Sequence, residues 1–171
     1  MTGSTAGSTD GSTDGIAHPT RIATAADAAE IARLLHDFNT EFVTPTPGPA
    51  VLQDRLGRLL DGASVFAIVA GEPAVAVGLV TIRPNVWYVG WVGLLDELYV
   101  VPEFRNQGIG TAVLDHLDRY SREHRIDAIE INVDEGDVDA QRFYERHGYS
   151  STEPDTGERA FYYFRELQRP S

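Results

Sequence analysis

Residues 94–117 read LLDELYVVPEFRNQGIGTAVLDHL, and this stretch constrains the fold more than any other. An apolar, β-branched run ends at Pro102, which cannot extend a central strand. A polar turn carrying Gly108 and Gly110 follows. Ile109, Val113, Leu117 and Tyr120 then recur at helical spacing, which predicts a helix over about Gly108 to Arg125. A strand feeding a helix through a glycine turn leaves unpaired N–H groups and the positive end of a helix dipole at the turn. Glycine lets an anion approach the backbone with no Cβ in the way. The pattern therefore reads as an anion site of unspecified ligand, and equally as a place where helix and strand pack closely.

The flanking sequence supplies the other elements. TRIAT predicts a short strand. Thr24 is placed to cap a helix with Ile31, Leu34, Leu35, Phe38 and Phe42 on one face. TPTPGP breaks it, and a second helix presents Leu52, Leu56, Leu59 and Leu60. SVFAIVAG and PAVAVGLVTIRP read as two strands around the GEP turn, and WVGLLDELYVVP as a third. Beyond the glycine helix, DAIEINVD alternates as a strand and DVDAQRFYERHG reads as a short helix that Gly148 ends. The closing stretch, YSSTEPDTGERAFYYFREL, predicts two strands around PDTGE. The order is β-α-α-β-β-β-α-β-α-β-β, a mixed α/β layer fold without repeats. A chain of 171 residues suits one domain, expected over 19–171. The GSTA, GSTD, GSTD repeats of residues 1–18 lack apolar content and are expected to form a flexible tail with no catalytic part.

Composition excludes several chemistries. The formal charge is −12, so nucleic acid and anionic membranes are unsuitable partners. All 14 basic residues are arginine, which rules out a lysine-bearing phosphate loop and a Schiff-base lysine. No cysteine is present, so thiolate catalysis, disulfides and cysteine-held metal are excluded. The longest apolar run is interrupted by Glu72 and Pro73, and the first ten residues lack the basic and apolar parts of a secretion signal. A cytoplasmic protein is the expectation. The five histidines show no ligand spacing, and no metal is expected.

One competitor for the glycine turn is a dinucleotide fold, since Glu130 lies about twenty residues on, where a ribose-binding acid belongs. Against it, the third glycine position is Val113, and Pro102 separates strand from turn. The segment LDELYVVPEFRNQGIGTAVLDHL instead resembles the signature of the Gcn5-related N-acetyltransferase (GNAT) superfamily, through Arg105, Gly108 and Gly110. DVDAQRFYERHGY resembles its second signature through Ala140, Tyr144, Gly148 and Tyr149, with Asp137 in place of the usual asparagine. The resemblance covers about residues 20–167. It implies a GNAT-like, mostly antiparallel central sheet flanked by about four helices, with acetyl-CoA as acetyl donor.

The resemblance also implies roles. The pantetheine arm would run beside the backbone of Leu98, Tyr99 and Val100. The pyrophosphate would rest on amides within Asn106, Gln107, Gly108, Ile109, Gly110 and Thr111. Arg105 would add charge or pack its stem, and Asp137 would contact the cofactor or cap its helix. Tyr144 would be the acid at the leaving thiolate. Glu97, on the same strand, is the candidate base or ammonium counter-charge, with Asp96 on the opposite face. Asn132 stands near the place where some relatives put a glutamate, and asparagine cannot serve as a base.

The reaction so implied is acetyl transfer to a primary amine of a small molecule or peptide by direct attack in a ternary complex. The alternative is a non-catalytic, coenzyme-A-binding regulatory module. Six acids over 127–139 suggest a rim for cationic amines, with an aminoglycoside as alternative acceptor. The acceptor walls are expected from the first two helices and the EPDTGE hairpin, with Trp87, Tyr88 and Trp91 as lining or as sheet cover. Pairing of relatives through terminal strands implies a homodimer.

Overall fold

The computed structural model describes residues 18–153 and 155–167. The low-complexity tail therefore lies outside the described residues, except for His18. The elements are β1 (Thr20–Ile22), α1 (Ala28–Glu41), α2 (Pro49–Leu60), β2 (Val65–Ala70), β3 (Ala76–Pro84), β4 (Trp91–Val100), α3 (Ile109–Glu123), β5 (Ile126–Ile131) and α4 (Val138–Arg146). The five strands form one sheet in chain order; β1 to β4 pair antiparallel, and β5 lies parallel to β4. The α3 crossover makes that parallel neighbour possible, because a hairpin cannot reverse direction twice.

The sheet is covered on both faces, and its strand sequences reflect that. VFAIVA of β2 is a continuous apolar run buried almost throughout. On one face α1 and α2 bring Ile31, Leu34, Leu35 and Leu56 against Ala67, Val69, Val77 and Tyr99. On the other, α3 brings Ile109, Val113 and Leu117 against Ile68, Val80, Leu95 and Ile126. Each such side chain contributes about 1.5–3 kcal/mol through burial. The entry to α1 is set by Asp27, whose carboxylate accepts the Thr24 N–H at 2.7 Å and pairs with Arg21 at 2.6 Å. That hydrogen bond from Arg21 is the main reason the Asp27 carboxyl is held well below the usual range.

Three expectations change. The two closing strands do not form among the described residues: one isolated bridge joins Thr152 to Arg159, and Ala160 onward has no ladder. Alternation marks what a segment is able to pair, but a ladder also needs a partner edge. Leu59 is exposed rather than part of the α2 packing face, which Leu52, Leu56 and Leu60 make. The glycine helix ends at Glu123, two residues short of the expected Arg125, which adopts a positive φ of 57°. No helix among the described residues is long and apolar enough to cross a membrane.

Candidate active site

The site begins with an irregularity in β4. Leu79 pairs with Glu97 and Val80 with Leu95, so Asp96 is an extra residue, a β-bulge. The bulge changes which residues face α3: Leu95 does so before it, Leu98 and Val100 after it. The parallel ladder to β5 stops at the same level, its last pair being Leu95 with Ile131. Beyond that pair the strands part and a cleft of about 1720 Å³ opens, lined by β4, the 104–111 turn, the 132–137 loop and α4.

The free edge of β4 has a definite pattern. Val101 N–H bonds to the Val75 carbonyl, so alternate residues Glu97, Tyr99 and Val101 direct their backbone groups at β3. Leu98 and Val100 direct theirs at the cleft. Of the three residues expected to run beside a pantetheine arm, Tyr99 is therefore turned away by its backbone. Its ring packs under Phe38 at 5.4 Å.

The turn is built for exposed amides. Asn106 and Gly108 take positive φ values of 61° and 80°, a region open to asparagine and glycine. The first helical bond runs from Ala112 N–H to the Gly108 carbonyl, which leaves the amides of Ile109, Gly110 and Thr111 without helical acceptors. A Cβ at Gly108 would meet nothing within 4 Å, whereas at Gly110 it would lie 3.2 Å from Phe143 Cζ. The two glycines thus have different reasons: one sets the turn, the other admits α4. Gln107 braces the turn by donating to the Glu103 carbonyl at 2.9 Å. Bare backbone amides grouped in such a turn are the kind of concavity that attracts anions.

Arg105 is engaged elsewhere. It makes two 2.7 Å bonds to Glu41, donates from Nε to the Val100 carbonyl at 2.9 Å, and lies 5.6 Å from the Tyr99 ring centroid. It ties the end of α1 to the turn, and its hydrogen bonds hold the Glu41 carboxyl below its ordinary value. Asp137 caps α4, accepting the Ala140 N–H at 3.0 Å.

Glu97 of β4 and Tyr144 of α4 both line the cleft. Burial, with a smaller push from neighbouring Asp96, raises Glu97 to about 6. Burial also pushes the Tyr144 phenol well up, aided by Tyr149, Asp137 and Glu97. Phe143 packs on the turn and meets Tyr144 edge-on at 5.2 Å, and Tyr144 in turn meets Tyr149 edge-on at 5.7 Å, so the adjacent aromatics touch within one cluster rather than pointing apart. Sequence reasoning missed His147, which bridges the Phe143 carbonyl at 2.7 Å and the Thr111 hydroxyl at 3.0 Å. Its position after Tyr144 by three residues was the available signal.

The acidic rim is mostly occupied. Glu130 pairs with Arg83 at 2.7 Å, Asp127 accepts the Gly90 N–H at 2.7 Å, and Glu135 lies 3.5 Å from Arg159. Arginines from other segments answer the acids, which a count within 127–139 does not see. Phe38 and Phe42 of α1 and its end line the cleft, as do Ser150, Ser151 and residues 159–162; α2 does not. Trp87, Tyr88 and Trp91 lie outside this lining, at the β3–β4 end of the sheet. Among the described residues no cluster of three metal-binding side chains occurs.

These features coincide with known proteins. The model of the acetyltransferase (GNAT) family matches residues 28–149, and the chain belongs to that family of acyltransferase enzymes. A crystal structure assigned as an acetyltransferase, from Arthrobacter sp. FB24, is 47% identical with a TM-score of 0.83, over 90% of this chain and 99% of that one. An aminoglycoside acetyltransferase from an uncultured soil metagenomic sample, solved with sisomicin, shares the fold at 17% identity and a TM-score of 0.71, over 87% and 95% of the two chains. An aminoalkylphosphonate N-acetyltransferase of Salmonella typhimurium is 30% identical over 44% of this chain, and the match spans about half of that relative, 51%.

Proposed function

We propose that the protein transfers the acetyl group of acetyl-CoA to a primary amine of a small molecule or peptide, by direct attack in a ternary complex. The observation that carries this reading is the cleft opened at the Asp96 bulge, lined by the bare helix amides of the turn and by Glu97 and Tyr144. The amides of Ile109, Gly110 and Thr111 hold the diphosphate, and the free backbone groups of Leu98 and the N–H of Val100 pair with the pantetheine arm. Asn106, Gln107 and Gly108 shape the turn. Arg105 and Asp137 act indirectly, through Glu41 and the α4 cap.

An alkyl ammonium with pKa near 10.4 is neutral in only about one molecule in a thousand near neutral pH, a cost of about 4 kcal/mol. Glu97, raised to about 6 by burial, is a stronger base than an ordinary carboxylate yet ionised above that pH. It takes the ammonium proton, directly or through a water. The nitrogen–carbon bond forms, the carbon–sulfur bond breaks, Tyr144 donates its proton to the departing sulfur, and the second nitrogen proton, lost as the amide forms, goes to solvent, from which the Tyr144 phenol is restored. Its raised phenol is protonated throughout the working range, as a donor must be.

The acceptor class rests on small amines. Two similar proteins are an aminoalkylphosphonate and an aminoglycoside acetyltransferase by name. Pairing of Glu130 with Arg83 and of Glu135 with Arg159 lowers the free charge of the rim, and the amines to be tested span monoamines and polyamines. The partner proposed for the terminal segment is a second copy, because Tyr163 and Phe164 are exposed and β5 has no neighbour on its outer edge among the described residues. The test is thiol release from acetyl-CoA across a panel of amines. Release in wild type that depends on one amine class, and falls in Tyr144→Phe, supports the reading. Tight cofactor binding with no amine acetylated overturns it.

A further inference from the structure

α4 is latched to the anion turn at two points. One is apolar, the Phe143 ring filling the space a side chain at Gly110 would need. The other is polar and has two ends. His147, the residue that closes α4, places Nδ1 2.7 Å from the Phe143 carbonyl oxygen and Nε2 3.0 Å from Thr111 Oγ1. Its ring also packs on Phe143, centroids 4.5 Å apart.

The chemistry of these partners determines the hydrogens. A carbonyl oxygen only accepts, so Nδ1 carries a hydrogen in either charge state of the ring. The role of Nε2 then depends on charge. In the neutral ring Nε2 accepts, and Thr111 spends its single hydroxyl hydrogen on it. In the imidazolium Nε2–H donates to Oγ1, and the Thr111 hydrogen is released to point elsewhere. Thr111 lines the cleft, and its own amide is the last of the three without helical acceptors.

We infer that His147 is a positioning residue for the diphosphate, taking up a proton at Nε2 as the anion arrives and thereby turning the Thr111 hydroxyl onto a phosphate oxygen, a role that rests on the coenzyme reading above. The proton comes from solvent, one hydrogen bond is exchanged for another, and no covalent bond changes. The imidazolium also places a positive charge behind the turn, in a chain whose nearby Arg105 is neutralised by Glu41. Throughout, the Nδ1 bond keeps α4, and with it Tyr144, in register with the turn. The titratable and charged groups around the ring are Tyr144, Glu145 and Arg146 on α4, Tyr149 beyond it, and Asp115 and Asp118 one and two turns after Thr111 on α3. Burial first, and then Asp118, push the Tyr149 phenol up to about 12.

The experiment is titration calorimetry with dephospho-coenzyme A at pH 7 in buffers of different ionisation heat. This ligand keeps the diphosphate but lacks the 3′-phosphomonoester, a group of the kind that titrates near pH 6. Roughly half a proton taken up per ligand is expected for a histidine charged on binding. Thr111→Val and His147→Gln should each abolish the uptake, with Thr111→Val binding about tenfold more weakly. Thr111→Ser and Glu97→Gln should both retain it. Binding by wild type without uptake, or uptake that survives in His147→Gln or Thr111→Val, overturns the inference and leaves the coenzyme reading intact. No binding by wild type overturns the coenzyme reading and the inference together. Should His147→Gln fail to fold, the Thr111 pair decides alone.

Discussion

The two ends of the cleft are built by different means. At the α3 end the turn is held from several sides while the amides of Ile109, Gly110 and Thr111 stay bare: Gln107 braces it, Arg105 ties it to Glu41 and Val100, and Phe143 and His147 clamp it from α4. Where the terminal segment lines it, the packing is loose: Phe161 and Tyr162 are 68% and 67% exposed, and no ladder runs from Ala160 onward among the described residues. On the reading proposed above, the turn holds the ligand part that is the same in every turnover. The loosely packed lining is then where variation in an acceptor is accommodated. The difference teaches that a pre-ordered grip and an adaptable entrance need opposite packing, and that only the first is paid for by dense hydrogen bonding.

Replacing Tyr144 by phenylalanine should give the largest effect, a fall of about 10²–10³ in kcat with little change in KM for acetyl-CoA, since an acid at the leaving group acts only in the transition state. Steady-state kinetics against both substrates check this; an equal rise in KM would show that Tyr144 belongs to the grip instead. Next, Gly110→Val should loosen α4 from the turn and cost about 1–3 kcal/mol in urea unfolding, whereas Gly108→Ala, with free space but a positive φ, should cost about 1 kcal/mol. Equal costs would break the distinction between the two glycines.

Glu97 yields a pH prediction of smaller size. Its carboxyl is raised from 4.5 to about 6, so catalysis by the ionised form should rise as pH passes about 6, and the limb should vanish in Glu97→Gln. The sign for stability is opposite. Between pH 4.5 and 6 the folded state binds the proton that the unfolded state has lost, so this group's contribution falls as pH rises through that window. Glu97→Gln should therefore gain thermal stability relative to wild type at pH 8, read by Tm. Breaking the half-exposed Arg105–Glu41 pair should cost only about 0.5–1 kcal/mol in a double-mutant cycle, because solvent screens it. The smallest effect on folding is expected for Tyr163→Ser, within about 0.5 kcal/mol, although sedimentation should show a weaker pair of copies.

Much of the fold was legible from local pattern. Ile109, Val113 and Leu117 declared the buried side of α3, and the unbroken apolar VFAIVA declared a doubly covered strand. The bare amides at the start of α3 and the place of Tyr144 in the cleft lining were legible too, because helix starts and helix spacing are local features. The Asp96 bulge was not, since an inserted residue leaves an apolar run looking regular. The engagement of Arg105 with Glu41, 64 residues away, was equally invisible. So were the arginines that answer the acidic rim and the outward position of Trp87.

From residue order alone come the element types, the helix start that bares its amides, and the chemical kinds available at the site: no thiol, no lysine, arginine as the one strong cation. Those depend on contacts within a few residues, where backbone sterics and side-chain period act. The tertiary structure decided which backbone groups of β4 face the cleft, how far burial raises Glu97, and that His147 meets Thr111 across two helices. Hydrogen-bond direction, desolvation and register are properties of groups that are distant in the chain, and they acquire values only when the sheet closes and the helices dock on it.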